Sequence, residues 1–162
     1  MSPKGGPTCV HVAPDCAPRS GAAAAAGLDV VVREQDASTR TAEDAAAAAA
    51  CELGQIVKSL VFNDDHGPVL VLCAGDRRVD TERLGLRRAT ADEVRQATGF
   101  AIGGVPPLGH DRPLRTLVDS SLRRFDTVWC AAGTPRAVFE VETDRLIAAL
   151  PDGEERDLTV PV

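Results

Sequence analysis

Among the residue types that can do chemistry, Lys58 comes first. Sixteen of the chain's basic residues are arginine and only two, Lys4 and Lys58, are lysine. In Ile56-Val-Lys-Ser-Leu-Val-Phe62, the period-2 alternation of a strand puts Lys58 on the face of Ile56, Leu60 and Phe62. That face is otherwise apolar, so a cation stands where a core side chain belongs. A compact ammonium there can act as a point charge on a phosphate or, once desolvated, as an acid. The alternative is a strand-end lysine whose stem packs and whose head reaches water. Arginine would serve that purpose equally well, so the choice of lysine tilts toward a chemical role.

The second feature is Gly103-Gly-Val-Pro-Pro-Leu-Gly109, with Gly99 just before it. Glycine permits positive φ and close backbone approach, and the two prolines stiffen the peptides between. Such a loop can aim the amides of Gly103, Gly104 and Val105 into a pocket, rigidly enough to bind a carbonyl oxygen or an oxyanion. A surface connection needing tight turns would use the same residues. The third feature, Ala131-Ala-Gly-Thr-Pro135, reads by itself as a hairpin turn between two strands.

No other constellation competes. The chain has no GxSxG, HExxH or CxxC motif, so neither an activated serine nor a zinc site is indicated. Of its three histidines, His11, His66 and His110, only His110 adjoins the glycine-rich loop. Cys9, His11 and Cys16 lack a fourth ligand, and no metal or cofactor is expected. Five cysteines are an odd set for a disulfide framework and fit a reducing cytoplasm.

The elements that must position these residues follow from local signals. Residues 1–26 are rich in Pro, Gly and Ala and read as a weakly ordered tail, leaving 27–162 as the domain. Leu28–Arg33 reads as a strand. Thr41 three residues before Asp44 caps a helix that the alanine run propagates and Gly54 stops. Gln55–Phe62 and Pro68–Ala74 read as strands joined by an Asn63-Asp-Asp-His-Gly67 turn. Helices follow near Asp80–Leu84 and at Ala91–Thr98, the latter capped by Thr90 and ended by Gly99. After the loop come a strand (Arg115–Val118), a short helix (Asp119–Arg124), two strands (Thr127–Ala132, Ala137–Val141) and a helix (Thr143–Leu150). This order predicts an α+β fold with a mixed, largely antiparallel sheet and flanking helices.

Bulk properties bound the function. The length of 162 residues suits one domain, and the 44% hydrophobic and 26% charged fractions are those of a globular protein. No apolar run approaches the ~20 residues that span a bilayer. The net charge of −6 speaks against strong non-specific binding to DNA or RNA. Its distribution is uneven: Gln55 to Phe125 carries eleven Lys/Arg against nine Asp/Glu, whereas Glu140 to Asp157 carries seven acidic residues against two arginines. Local phosphate contacts are compatible with that middle segment.

Taken together, the Lys58 strand, Ile102-Gly-Gly-Val-Pro-Pro-Leu-Gly109 and Ala131–Pro135 followed by Val138-Phe139 resemble the YbaK/prolyl-tRNA synthetase-associated (INS-like) editing family. The order and separations match, over roughly Leu28 to Leu150. The resemblance implies a curved or barrel-like sheet. It also implies deacylation of mischarged tRNA carrying Ala, Cys, Ser or Thr, with tRNA-Pro or a related tRNA as carrier. Lys58 matches the family's essential lysine, and Gly103 and Pro107 match the ends of its Gly-x-x-x-Pro loop. Pro106, Pro107, Leu108, Gly109, Gly133, Thr134 and Arg136 fall at substrate-contacting positions. Relatives often place a histidine within 134–136, where this chain has Thr134, Pro135 and Arg136. The implied partners are the 3′ end of aminoacyl-tRNA and a synthetase. Two rivals remain: a non-catalytic module that binds aminoacyl-tRNA, and a hydrolase of small aminoacyl esters or thioesters.

Overall fold

The computed structural model describes residues 32–34, 41–108, 110, 114–133, 137–150 and 153–161. In chain order the first elements are β1 (Val32–Glu34), α1 (Ala42–Ala49), β2 (Val57–Asp64), β3 (Gly67–Ala74) and β4 (Arg77–Val79). Next come α2 (Thr81–Leu84), β5 (Arg87–Arg88), α3 (Ala91–Thr98) and β6 (Arg115–Asp119). The rest are β7 (Thr127–Ala131), β8 (Ala137–Glu142), α4 (Thr143–Ala149), β9 (Gly153–Arg156) and β10 (Thr159–Pro161).

The β2–β3 hairpin is the centre. Its strands pair antiparallel from Asp64↔Gly67 back to Val57↔Ala74, around a two-residue turn of Asp65 and His66. The turn closes because the Asp64 carboxylate accepts the His66 N–H at 2.8 Å and Gly67 takes a φ of 112°. β6 adds parallel to β3, and β9 adds parallel to β6, while β5 pairs with β2 only at Phe62 and Asn63. The five-stranded order is thus β5-β2-β3-β6-β9, beside a β1-β8-β7 sheet and a β10-β4 pair. The fold is α+β with mixed, mostly antiparallel pairing. Its sheets are open, and no closed barrel forms among the described residues.

Helix ends show where local signals suffice. The Thr41 side chain accepts the Asp44 N–H at 3.1 Å and starts α1 as expected. That helix stops at Ala50, which takes φ 57°, ψ 45° and turns its N–H back to the Ala46 and Ala47 carbonyls. The expected stop at Gly54 is therefore four residues too late. Gly54 serves instead in a 3-10 turn at Leu53–Gln55, where an added Cβ would lie 2.7 Å from the Phe125 ring. α3 begins and ends as its signals predict, with a Thr90/Glu93 capping box and Gly99 at φ 84°. The 1–26 tail and residues 28–31 of the expected first strand lie outside the described residues.

The core has two faces. Leu70, Leu72 and Ala74 of β3 pack with Val57, Val61, Val105, Val118, Val128 and Phe139. Val69, Val71 and Cys73 of the same strand pack with Phe62, Val79, Leu117 and Leu158 on the other side. The C-terminus is fastened through Asp119, which is 1% exposed. Its carboxylate accepts the Ser121 N–H at 3.1 Å, the Leu158 N–H at 2.8 Å, the Thr159 hydroxyl at 2.9 Å and the Ser121 hydroxyl. Replacing Asp119 with Ala leaves those donors buried without an acceptor. Unfolding in urea should then show a loss of about 3 kcal/mol or more, at ~1–3 kcal/mol for each unsatisfied group. Wild-type stability in that variant would remove Asp119 as the fastening point of β10.

Candidate active site

A cavity of about 380 Å³ runs along the outer edge of β2. It exists because β5 covers that edge only at Phe62 and Asn63, leaving the stretch from Val57 to Val61 without a full-length neighbour. α1 supplies Thr41, Ala42 and Ala45 to the wall, and β7 supplies Trp129, Cys130 and Ala131. Arg88, Val94, Ile102, Gly103 and Val105 also line it. Ile102 is 58% exposed, the one large apolar side chain so open among the described residues.

Alternation along β2 sends Val57 and Val61 into the first core face and Leu60 and Phe62 toward the second. Lys58 goes with Leu60 and Phe62, as its spacing predicts, and sits opposite Cys73. The cavity follows the strand edge, so Lys58 from one face and the glycine-rich loop from the other both line it. The Lys58 stem is half-buried and its ammonium donates to the Arg77 carbonyl. It makes no ion pair among the described residues. Ser59 also lines the cavity, and its buried Oγ has no hydrogen-bond partner among the described residues.

The loop that carries the amides is braced from both ends. The buried Thr98 hydroxyl donates to the Val94 carbonyl at 2.8 Å and accepts the Phe100 N–H at 3.0 Å. His110 Nε2 donates to the Pro106 carbonyl at 2.8 Å, and its ring meets Phe100 edge-on at 6.3 Å. Gly103 takes φ 91°, a conformation open to glycine and strained for most other residues. The Gly104 N–H is committed to the Ala101 carbonyl at 3.0 Å. The N–H groups of Gly103 and Val105 donate to nothing among the described residues.

Other expected site residues are placed apart from the cavity wall. Pro106 and Pro107 are buried and Leu108 packs against the first core face, so these three support the loop. Gly133 (φ 117°) sits at the turn after β7 and does not line the cavity. Gly109, Thr134 and Arg136 lie outside the described residues. Sequence reasoning missed the wall from α1, Arg88, Ser59 and Trp129. Ser59 could have been found from the same alternation that singled out Lys58.

Outside the cavity wall, the Arg124 guanidinium grips Asp76 at 2.6 and 3.0 Å and holds its carboxyl below the usual carboxylate range. The three described cysteines are all free thiols. Burial pushes the Cys73 thiol up to about 12, with Asp119 and Asp76 adding to the shift and Lys58 opposing it. Cys130 is raised further by burial alone, and Cys51, half-exposed, is raised by burial and by Glu140 and Glu52. In the folded protein at pH 8, iodoacetamide should label Cys51 ahead of Cys73 and Cys130, which react only after unfolding. Peptide mass mapping reads this directly, and early labelling of Cys130 would mean that the cavity wall opens.

With this geometry in place, comparison with known proteins is informative. A family model described as an aminoacyl-tRNA editing domain matches residues 36–149. The uncharacterized protein YwhH of Bacillus subtilis is 34% identical over 122 residues, which are 71% of this chain and 78% of that protein. The proline–tRNA ligase of Lactobacillus gasseri is 36% identical over 76 residues, covering 43% of this chain but only 14% of the ligase. A crystal structure provisionally described as a trans-editing enzyme for prolyl tRNA synthetase superposes with a TM-score of 0.85. It is 44% identical and covers 92% of this chain and 99% of its own. A mixed α/β fold, a pocketed lysine strand and a match across residues 36–149 agree, and the chain belongs to the aminoacyl-tRNA editing domain family.

Proposed function

We propose that the protein is a trans-acting aminoacyl-tRNA deacylase. It hydrolyses the ester that joins a small, wrong amino acid (Ala, Cys, Ser or Thr) to the 3′ end of tRNA-Pro or a related tRNA in the cytoplasm. The observation that carries this reading is that Lys58 shares one cavity with Gly103 and Val105. The likeness to a structure described as a trans-editing enzyme supports it.

The chemistry follows from what each group can donate. Water attacks the ester carbonyl, and the oxygen that gains charge accepts the N–H groups of Gly103 and Val105. Such a donor is commonly worth ~10²–10³ in rate. An ammonium carries three donors. Arg77 engages one of the three at Lys58, leaving two for the terminal phosphate or the ester oxygen. The ribose oxygen departs with a proton, assisted by the adjacent ribose hydroxyl, giving free amino acid and intact tRNA. The unpartnered Ser59 hydroxyl is the polar group available to the amino acid itself. Gly133, Thr134 and Arg136 are kept in this reading as substrate-binding positions, and no cofactor takes part.

Selection works by size, since an apolar pocket gains only ~1–3 kcal/mol per methylene and excludes larger groups best by clash. Val105→Ala should therefore relax discrimination against the next larger acyl group by about 10-fold or more in kcat/KM. An unchanged preference would move the acyl group away from Val105. The direct test is release from tRNAs charged with Ala, Ser, Cys, Thr or Pro, with wild type beside Lys58→Ala. Lys58→Ala should lose on the order of 10²-fold or more in rate. Protection of the ester without release would make the protein a binding module, and equal turnover of small aminoacyl esters would make it a general esterase.

A further inference from the structure

Lys58 is held by a backbone carbonyl, so its position is only as fixed as the turn that presents that carbonyl. The turn is Gly75-Asp76, between β3 and Arg77, and it is wedged on two sides. On one side its backbone lies against the 3-10 turn before β2: a Cβ on Gly75 would meet the Leu53 carbonyl oxygen at 2.5 Å. On the other, Arg124 donates to both Asp76 oxygens, at 2.6 and 3.0 Å. Arg124 is itself oriented, since its Nε donates to the Ser121 carbonyl at 2.8 Å and its head lies 5.0 Å over the Phe125 ring. Phe125 in turn packs against Gly54, the residue that carries the chain into β2. A continuous chain of contacts thus runs from Arg124 through Asp76 and the backbone of Arg77 to Lys58.

We propose that Arg124 is a positioning residue for Lys58, acting through its paired grip on Asp76 and the Arg77 carbonyl. This rests on the reading of Lys58 as the group that meets the substrate. Neither Arg124 nor Asp76 lines the cavity, so a direct contact with substrate is not part of the assignment. Displacing a positioned group by about 1 Å can lower a rate ~10²-fold. Arg123, next in the chain, faces Glu155 and Asp144 instead and is the natural control.

The test uses the scarcity of lysine. Only Lys4 and Lys58 can be modified by reductive methylation apart from the N-terminus, so Lys4 serves as an internal reference. Folded Arg124→Ala and Asp76→Asn should both label Lys58 several-fold faster relative to Lys4, because the side-chain nitrogen reacts as the neutral amine and must first leave the Arg77 carbonyl. Both should lose about 10- to 100-fold in deacylation, whereas Arg123→Ala should change neither. Asp76→Asn keeps the side chain's shape, so it carries the test if Arg124→Ala fails to fold. Wild-type labelling of Lys58 in the folded variants overturns the proposal, whatever their activity. Full activity in Lys58→Ala would instead sink the catalytic reading of Lys58, while the labelling result would still decide whether Arg124 holds it.

Discussion

The constraint on which the rest depends is the burial of β3 on both faces. Residues Val69 to Ala74 have no exposed surface, and alternate side chains enter two different clusters. A strand of this kind cannot show the alternation of a half-buried sheet and reads as one apolar run. It also fixes its neighbours. β2 must match β3 residue for residue, because a slip of one position would exchange every side chain between the two cores. In the observed register Lys58 lies opposite Cys73, and Ser59 lies on the other face with Val57 and Val61. The placement of the site's cation is therefore decided by the packing of a strand that never touches the cavity.

Much of this was legible locally. The Asn63–Gly67 turn, the capped α3 helix and the Thr41 start of α1 all rest on interactions within four residues, and the structure reproduces them. What was not legible is long-range. The stop of α1 at Ala50 involves a left-handed alanine, which no propensity favours. It leaves Leu53 and Cys51 to pack with Ile56 and Trp129. β9, with Glu154, Glu155 and Arg156 all exposed, carries no apolar signal and exists because β6 offers it a parallel edge. β10 ends in Pro161, which is tolerated at a sheet margin.

The site divides in the same way. Lys58 and the Gly103–Val105 loop were visible because each breaks a local rule, a cation on an apolar face and glycine in series. The apolar wall breaks no rule. Ala42, Ala45 and Trp129 look like ordinary core residues until α1 and β7 are set beside the free edge of β2. Composition says why the wall is built so. With 3% aromatic residues and no tyrosine, the chain brings only two rings, Phe62 and Trp129, to a wall made otherwise mostly of aliphatic side chains and alanines.

The same economy accounts for lysine at 58. Arginine presents a planar fork of five donors that demands matched acceptors. The carbonyl of Arg77 offers one acceptor at the end of the Lys58 stem, and no carboxylate pairs with that ammonium among the described residues. A guanidinium in that place would leave several N–H groups half-buried beside Leu60 and unsatisfied. An ammonium satisfies one donor on the protein and keeps the others for a ligand. Elsewhere the fork is what the fold needs: Arg124 uses it on Asp76 and the Ser121 carbonyl, and Arg123 uses it on Glu155 and Asp144. The division follows geometry: forks tie the scaffold together where paired acceptors exist, and the single-point cation stands where the protein supplies only one.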